Sequence, residues 1–216
     1  MVGPHDSASA YTESVRTALA LLAIVFLDTA GLALADSGAS PHSQGHPRGR
    51  FPLTVYVEPS GDGALDAAAR RVLEDWNAVA QAALALAVFT VAPGPDASVV
   101  VTMASSGGTH LMGKAALDAD ANGVITLPVR IVIAPPVARG RTPADVIFYQ
   151  VLAHELGHAL GLPHTSDPRS LMCCIEGSVN FQDPAQREAY VAARRQPSLS
   201  SVERQLQEHY ERFWRQ

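Results

Sequence analysis

The sequence predicts an α+β domain. Apolar residues recur at helical spacing from about residue 64 to 86, runs of strand length flank that segment, and a second helical segment follows them. With 216 residues, 47 % hydrophobic and 17 % charged, the chain is long enough to bury one core and too apolar to be disordered throughout. Its net charge of −5 gives no electrostatic reason to expect a nucleic-acid partner.

Residues 1–35 read as an export signal. Arg16 precedes the apolar run Ala18–Leu27, and Ala33–Ala35 offer an A-x-A cleavage site before Asp36. The alternative is an uncleaved anchor that leaves the folded domain outside the membrane. A span needs about 20 apolar residues, and an Asp at its centre costs roughly 2.5–3.5 kcal/mol. This run is short, and Asp28 interrupts it. The expected mature protein is secreted and has no membrane contact after cleavage. Residues 36–50, rich in Gly, Ser and Pro, read as a flexible leader in which His42 and His46 are linker histidines.

Each element follows from its pattern. In "FPLTVYVEP", Leu53, Val55 and Val57 alternate with Thr54, Tyr56 and Glu58, as in a half-buried strand. "SGDG" at Ser60–Gly63 turns the chain into a helix over 64–86, on which Trp76 is the expected core anchor. "ASVVVTMA" is apolar without interruption and suits a central strand. Weaker strands are expected at Thr109–Ala116 and Val129–Ala134, with His110 as a surface residue. "DADANG", Asp118–Gly123, starts like an EF-hand loop, but Val129 stands where a bidentate Glu is required. It reads as a turn, with a Ca²⁺-binding loop of another kind as the alternative.

Thr142 is expected to cap a helix with Pro143 at its first position; the helix runs to Leu160, where Gly161 ends it. A third helix opens at Asp183-Pro184 and runs to about Arg195. In 196–216, Val202, Leu206, Tyr210 and Phe213 share one face of a last helix.

Three of the eight histidines lie in "HELGHALGLPH". His154 and His158 are four apart on the expected helix, so their imidazoles project from one face and could reach one metal at about 2.0–2.1 Å. Glu155 sits close enough to act on a water at that metal, as in H-E-x-x-H zinc hydrolases. His164 comes after the chain turns back at Gly161, where a positive φ is tolerated. Three neutral imidazoles leave a fourth zinc position open, which is the pattern of a catalytic rather than a structural site. A chance match to H-E-x-x-H-x-x-G-x-x-H in a chain this long is on the order of 10⁻⁵.

This stretch resembles the metzincin zinc peptidases. Met172 stands where their Met-turn methionine falls, and "HTSDPRSLM" is most similar to the matrixin (matrix metalloproteinase-like) branch. The resemblance covers roughly residues 51–195 and is most specific over 154–172. It implies a metzincin-like catalytic domain over 51–195, a twisted mixed sheet with a long helix and an active-site helix, and a C-terminal helix over 196–216. It also implies one catalytic Zn²⁺ on His154, His158 and His164, Met172 as an apolar floor beneath it, and Glu155 as general base. The implied substrate is a protein or peptide strand added to the sheet edge near Thr109–Ala116. A zinc-stabilised secreted binding domain without catalysis is the competing class.

The chain departs from the matrixin pattern at Cys174 and Glu176, which occupy pocket-wall positions where Pro and Tyr are usual. If cleavage follows Ala35, neither cysteine-switch latency nor a folded pro-domain is expected, since no cysteine precedes the motif and residues 36–50 are few. Cys173 and Cys174 are expected as buried thiols: Cα atoms about 3.8 Å apart fall below the usual disulfide range. A vicinal disulfide is the alternative, and a zinc-ligand role the least favoured reading.

Overall fold

The computed structural model describes residues 44–104 and 112–216. The export segment, His42, and the start of the expected edge strand with His110 lie outside the described residues.

Five strands form one sheet in the order β2-β1-β3-β5-β4, from β1 (Leu53–Val57), β2 (Phe89–Val91), β3 (Val99–Met103), β4 (Gly113–Ala116) and β5 (Val129–Ile133). All neighbours run parallel except β4, which pairs antiparallel with β5 and forms one edge. The apolar run at Val99–Val101 is buried at the sheet centre, while β5 alternates, burying Val129, Ile131 and Ile133.

Helix α1 (Gly63–Leu84) starts at Asp62, whose carboxylate accepts from the N–H groups of Ala64 and Leu65 at 2.8 and 3.3 Å. Such a cap is worth about 1 kcal/mol. The helix buries Val72, Leu73, Trp76 and Ala80 along one stripe. Strand β2 went unread because three residues carry no periodicity. Asn77 of α1 organises it: the amide oxygen accepts from Val88 and Phe89 N–H, and the amide nitrogen donates to Phe89 C=O, all within 3.0 Å.

Helix α2 (Ala144–Ala159) has 12 of its 16 residues buried and so lacks a polar stripe. It packs against α1 on one side and β4 and β5 on the other. Its N-cap is Pro143, without a side-chain cap, rather than Thr142. Thr142 instead exchanges backbone hydrogen bonds with Arg139. Helices α3 (Pro184–Arg195, capped by Asp183) and α4 (Glu203–Phe213) follow. Leu206, Tyr210 and Phe213 of α4 belong to the main core. In the Asp118–Gly123 turn, the Asp120 carboxylate accepts from the N–H groups of Asn122 and Val124.

The flexible-leader expectation is corrected for residues 44–50. Gly45 bridges to Val124 through backbone hydrogen bonds with Gly123 and Ile125. His46 is fully buried, and its Nε2–H donates to Ala159 C=O at 2.9 Å. Arg50 donates to Ile125 C=O at 2.7 Å, and Trp214 donates to His46 C=O at 3.0 Å. His209 of α4 donates to Gln44 C=O at 2.8 Å. Composition suggested a linker, but the segment satisfies the Ala159 carbonyl at the end of α2 and the Leu84 carbonyl at the end of α1.

Burial, reinforced by the nearby Arg50 charge, holds the His46 pKa down at about 4, against 6.5 for an ordinary histidine. His209 is lowered too, chiefly by burial. The folded state therefore keeps His46 neutral where the unfolded chain binds a proton. Its contribution is complete above pH 6.5 and is lost as pH falls toward 4, a change of order 3 kcal/mol. Denaturant titrations between pH 7.5 and 4.5 should show His46→Gln losing less stability than wild type across this window. Equal losses would remove His46 as the cause.

Candidate metal centre

The metal centre is assembled by α2 and the chain that follows it. His154 and His158 lie one helical turn apart, and Gly161, at φ +84°, reverses the chain so that His164 returns to them. A Cβ at Gly161 would also meet the Gln44 carbonyl, so the reversal and the docked N-terminal segment require the same bare Cα.

Two backbone carbonyls set the ring orientations. A carbonyl only accepts, so the proton sits on Nδ1 of each ring: His154 donates to Leu171 C=O at 2.8 Å, and His158 donates to Leu162 C=O at 2.9 Å. Both Nε2 atoms then present lone pairs, and each lies 3.1 Å from His164 Nε2. One proton on His164 could serve only one of those two nitrogens, whereas a cation between the three serves all. A tetrahedral ion with bonds of about 2.0–2.1 Å separates its ligand nitrogens by about 3.3 Å. The donor set therefore fits zinc. Among the described residues this is the one cluster of three or more His, Cys, Asp or Glu groups able to hold a metal. Burial, and then the neighbouring His158, holds the His154 pKa well below 6.5, which keeps the ring in its ligating form.

Glu155 is 2 % exposed and lies against the edge strand: a Cβ at Gly113 of β4 would stand 2.7 Å from its Oε1. Met172 is fully buried beneath α2, its sulfur in the space that a Cβ at Gly157 would need. Trp76 donates to Ala153 C=O at 3.1 Å and fixes the same stretch of α2 from the α1 side. The supports missed from sequence are the Leu162 and Leu171 carbonyls, which carry no residue-type signal. Gly113 and Gly157 were visible only as glycines within a strand and a helix, where their cost hints at a close approach.

Cys173 and Cys174 are joined as a vicinal disulfide, which corrects the expectation of two thiols. Their Cα atoms are 3.0 Å apart, so the Cα range of disulfides between separated residues does not govern this adjacent pair. They pack in a small second core with Val179, Phe181, Tyr190 and Val191, away from the three imidazole nitrogens.

A mixed α+β sheet carrying a buried helix with an H-E-x-x-H pair and a returning third histidine defines a metallopeptidase-type site. The sequence model of the Matrixin family matches residues 74–183, just over half of the chain. The chain belongs to the matrixin family, whose members are zinc metallopeptidases acting on peptide or protein substrates. A comparison with curated proteins finds no match. Among solved structures, that of myroilysin is similar over 70 % of this chain at 16 % identity and a TM-score of 0.34, and the chain spans 65 % of that protein's length.

The close approach of β4 to α2 yields a stability test. A methyl group at Gly113 would lie 2.6 Å from Val151 Cγ1 and 2.9 Å from Glu155 Cγ, both on a helix packed from two sides. Gly113→Ala should cost about 1–3 kcal/mol, the usual range for overpacking, in denaturant unfolding. An unchanged midpoint would mean that β4 and α2 separate freely.

Proposed function

We propose that this chain is an exported zinc endopeptidase that hydrolyses peptide bonds with Glu155 as general base. The observation that carries the reading is the convergence of His154, His158 and His164 beside a buried Glu155, next to the open edge of β4. Zinc at such a site lowers the pKa of its water toward about 7 and polarises a carbonyl.

The remaining chemistry belongs to the protein. The substrate backbone adds to the outer side of β4, placing an extended strand across the face of α2 that bears Glu155. The Glu155 carboxylate takes a proton from the attacking water and returns it to the amine nitrogen as the peptide C–N bond breaks. Its position between α2 and Gly113 limits the motion of the carboxylate. Neutral Nε2 atoms on His154 and His158, held by the Leu171 and Leu162 carbonyls, keep the metal ligands oriented. Met172 fills the space below without ligating.

Glu155→Gln keeps the shape of the side chain and removes its basicity. It should retain one zinc per chain by metal analysis, keep its fold, and lose at least about a hundredfold in cleavage of a denatured protein. Cleavage at the wild-type rate would refute the role of Glu155. If zinc-replete wild type cleaves nothing, a zinc-stabilised binding domain replaces the enzyme.

Export rests on Ala18–Ala35 and the A-x-A site before Asp36. N-terminal sequencing of the exported protein should find a start at or near Asp36. Intact Met1 chains in a membrane fraction would support the anchored alternative.

A further inference from the structure

We propose that Arg194 is a positioning residue for the metal centre, acting through the turn that carries Leu171 and Met172. The proposal rests on the zinc reading above. Arg194 stands on α3, beyond the matrixin match that ends at residue 183. It is 7 % exposed. Burial lowers its pKa, and the group that acts on its charge against that is Tyr190 rather than a carboxylate. Its Nε has no hydrogen-bond partner. A buried charge without a counter-charge costs stability, and an apolar side chain of similar volume is often neutral or better in its place. Filling space does not explain an arginine here.

Its contacts do. Nη2 donates to Cys173 C=O at 3.1 Å and Nη1 to Ser170 C=O at 3.4 Å, while the guanidinium stacks 4.4 Å from the centre of the Tyr190 ring. One planar fork thus grips the turn on both sides of Leu171 and Met172. Between those grips, Leu171 C=O accepts the Nδ1–H of His154 at 2.8 Å, and Met172 C=O accepts the N–H of Thr165, next to His164, at 2.9 Å. The turn is the shared support of two of the three histidines, and Arg194 fixes its width. The rigid fork matters: lysine carries the same charge on a point donor and cannot span both carbonyls in one plane.

The test uses the full chain loaded with zinc, then with cobalt(II). Arg194→Met should release zinc to excess chromogenic chelator about 10–100-fold faster than wild type, the usual effect of losing a partner that orients a ligand. Arg194→Lys should fall between the two. Both should shift the cobalt ligand-field absorption, which a loss of packing remote from the metal would leave alone. Arg195→Ala, on the exposed side of the same helix, should match wild type in both readouts. If Arg194→Met does not fold, Arg194→Lys decides alone. Wild-type release rates and cobalt spectra in the folded Arg194 variants would overturn the positioning role and leave the metal site standing. A wild-type chain that holds neither metal would overturn the site, and the role with it.

Discussion

The hydrogen bond from His154 Nδ1 to Leu171 C=O joins the helix that bears two of the imidazoles to the turn beneath it. A metal ligand on a helix has a fixed Cα but a ring that turns about its side-chain bonds. A backbone acceptor at 2.8 Å removes that freedom and fixes the tautomer as well. The acceptor is useful only if the turn bearing it is itself immobile. Two contacts meet that demand: Ser201 Oγ accepts Leu171 N–H at 3.0 Å, and Met172 is sealed under Gly157.

Helix α2 shows how far the packing departs from an ordinary surface helix. With α1 on one side and the sheet on the other, it buries polar as well as apolar positions, including Gln150, His154 and Glu155. Burying an ionisable group costs several kcal/mol unless it is neutral or well partnered. His154 meets this by remaining neutral with its Nδ1–H satisfied. Two bare Cα positions, Gly113 and Gly157, let a strand and a methionine approach the helix at the levels of Glu155 and of the histidine pair. The site is therefore a packing solution as much as a chemical one.

What could be read from sequence followed from period and spacing. Alternation placed β1, helical recurrence placed α1, and the four-residue interval put His154 and His158 on one face. What could not be read depends on partners far away in the chain. Nothing in "GHPRGR" announces that His46 will meet the carbonyl of Ala159, since acceptors of that kind are identical in every residue. Strand β2 is too short for a period and is held by Asn77, whose role is visible only once α1 and the sheet are packed. The start of α2 shifted because Thr142 took a backbone partner in Arg139 instead of a capping role.

The C-terminal helix has a consequence for timing. Gln205 donates to Pro163 C=O at 2.7 Å, immediately before His164, and Tyr210 donates to Leu160 C=O at 2.9 Å, immediately before Gly161. The loop that delivers the third imidazole is thus braced by residues some forty to fifty positions later in the chain. A polypeptide is made from its N-terminus at roughly 5–20 residues per second. For several seconds of synthesis, all three histidines exist without that brace. The loop that carries His164 gains these two hydrogen bonds only once the chain has been made through Tyr210, so the third imidazole is the last of the three to be braced.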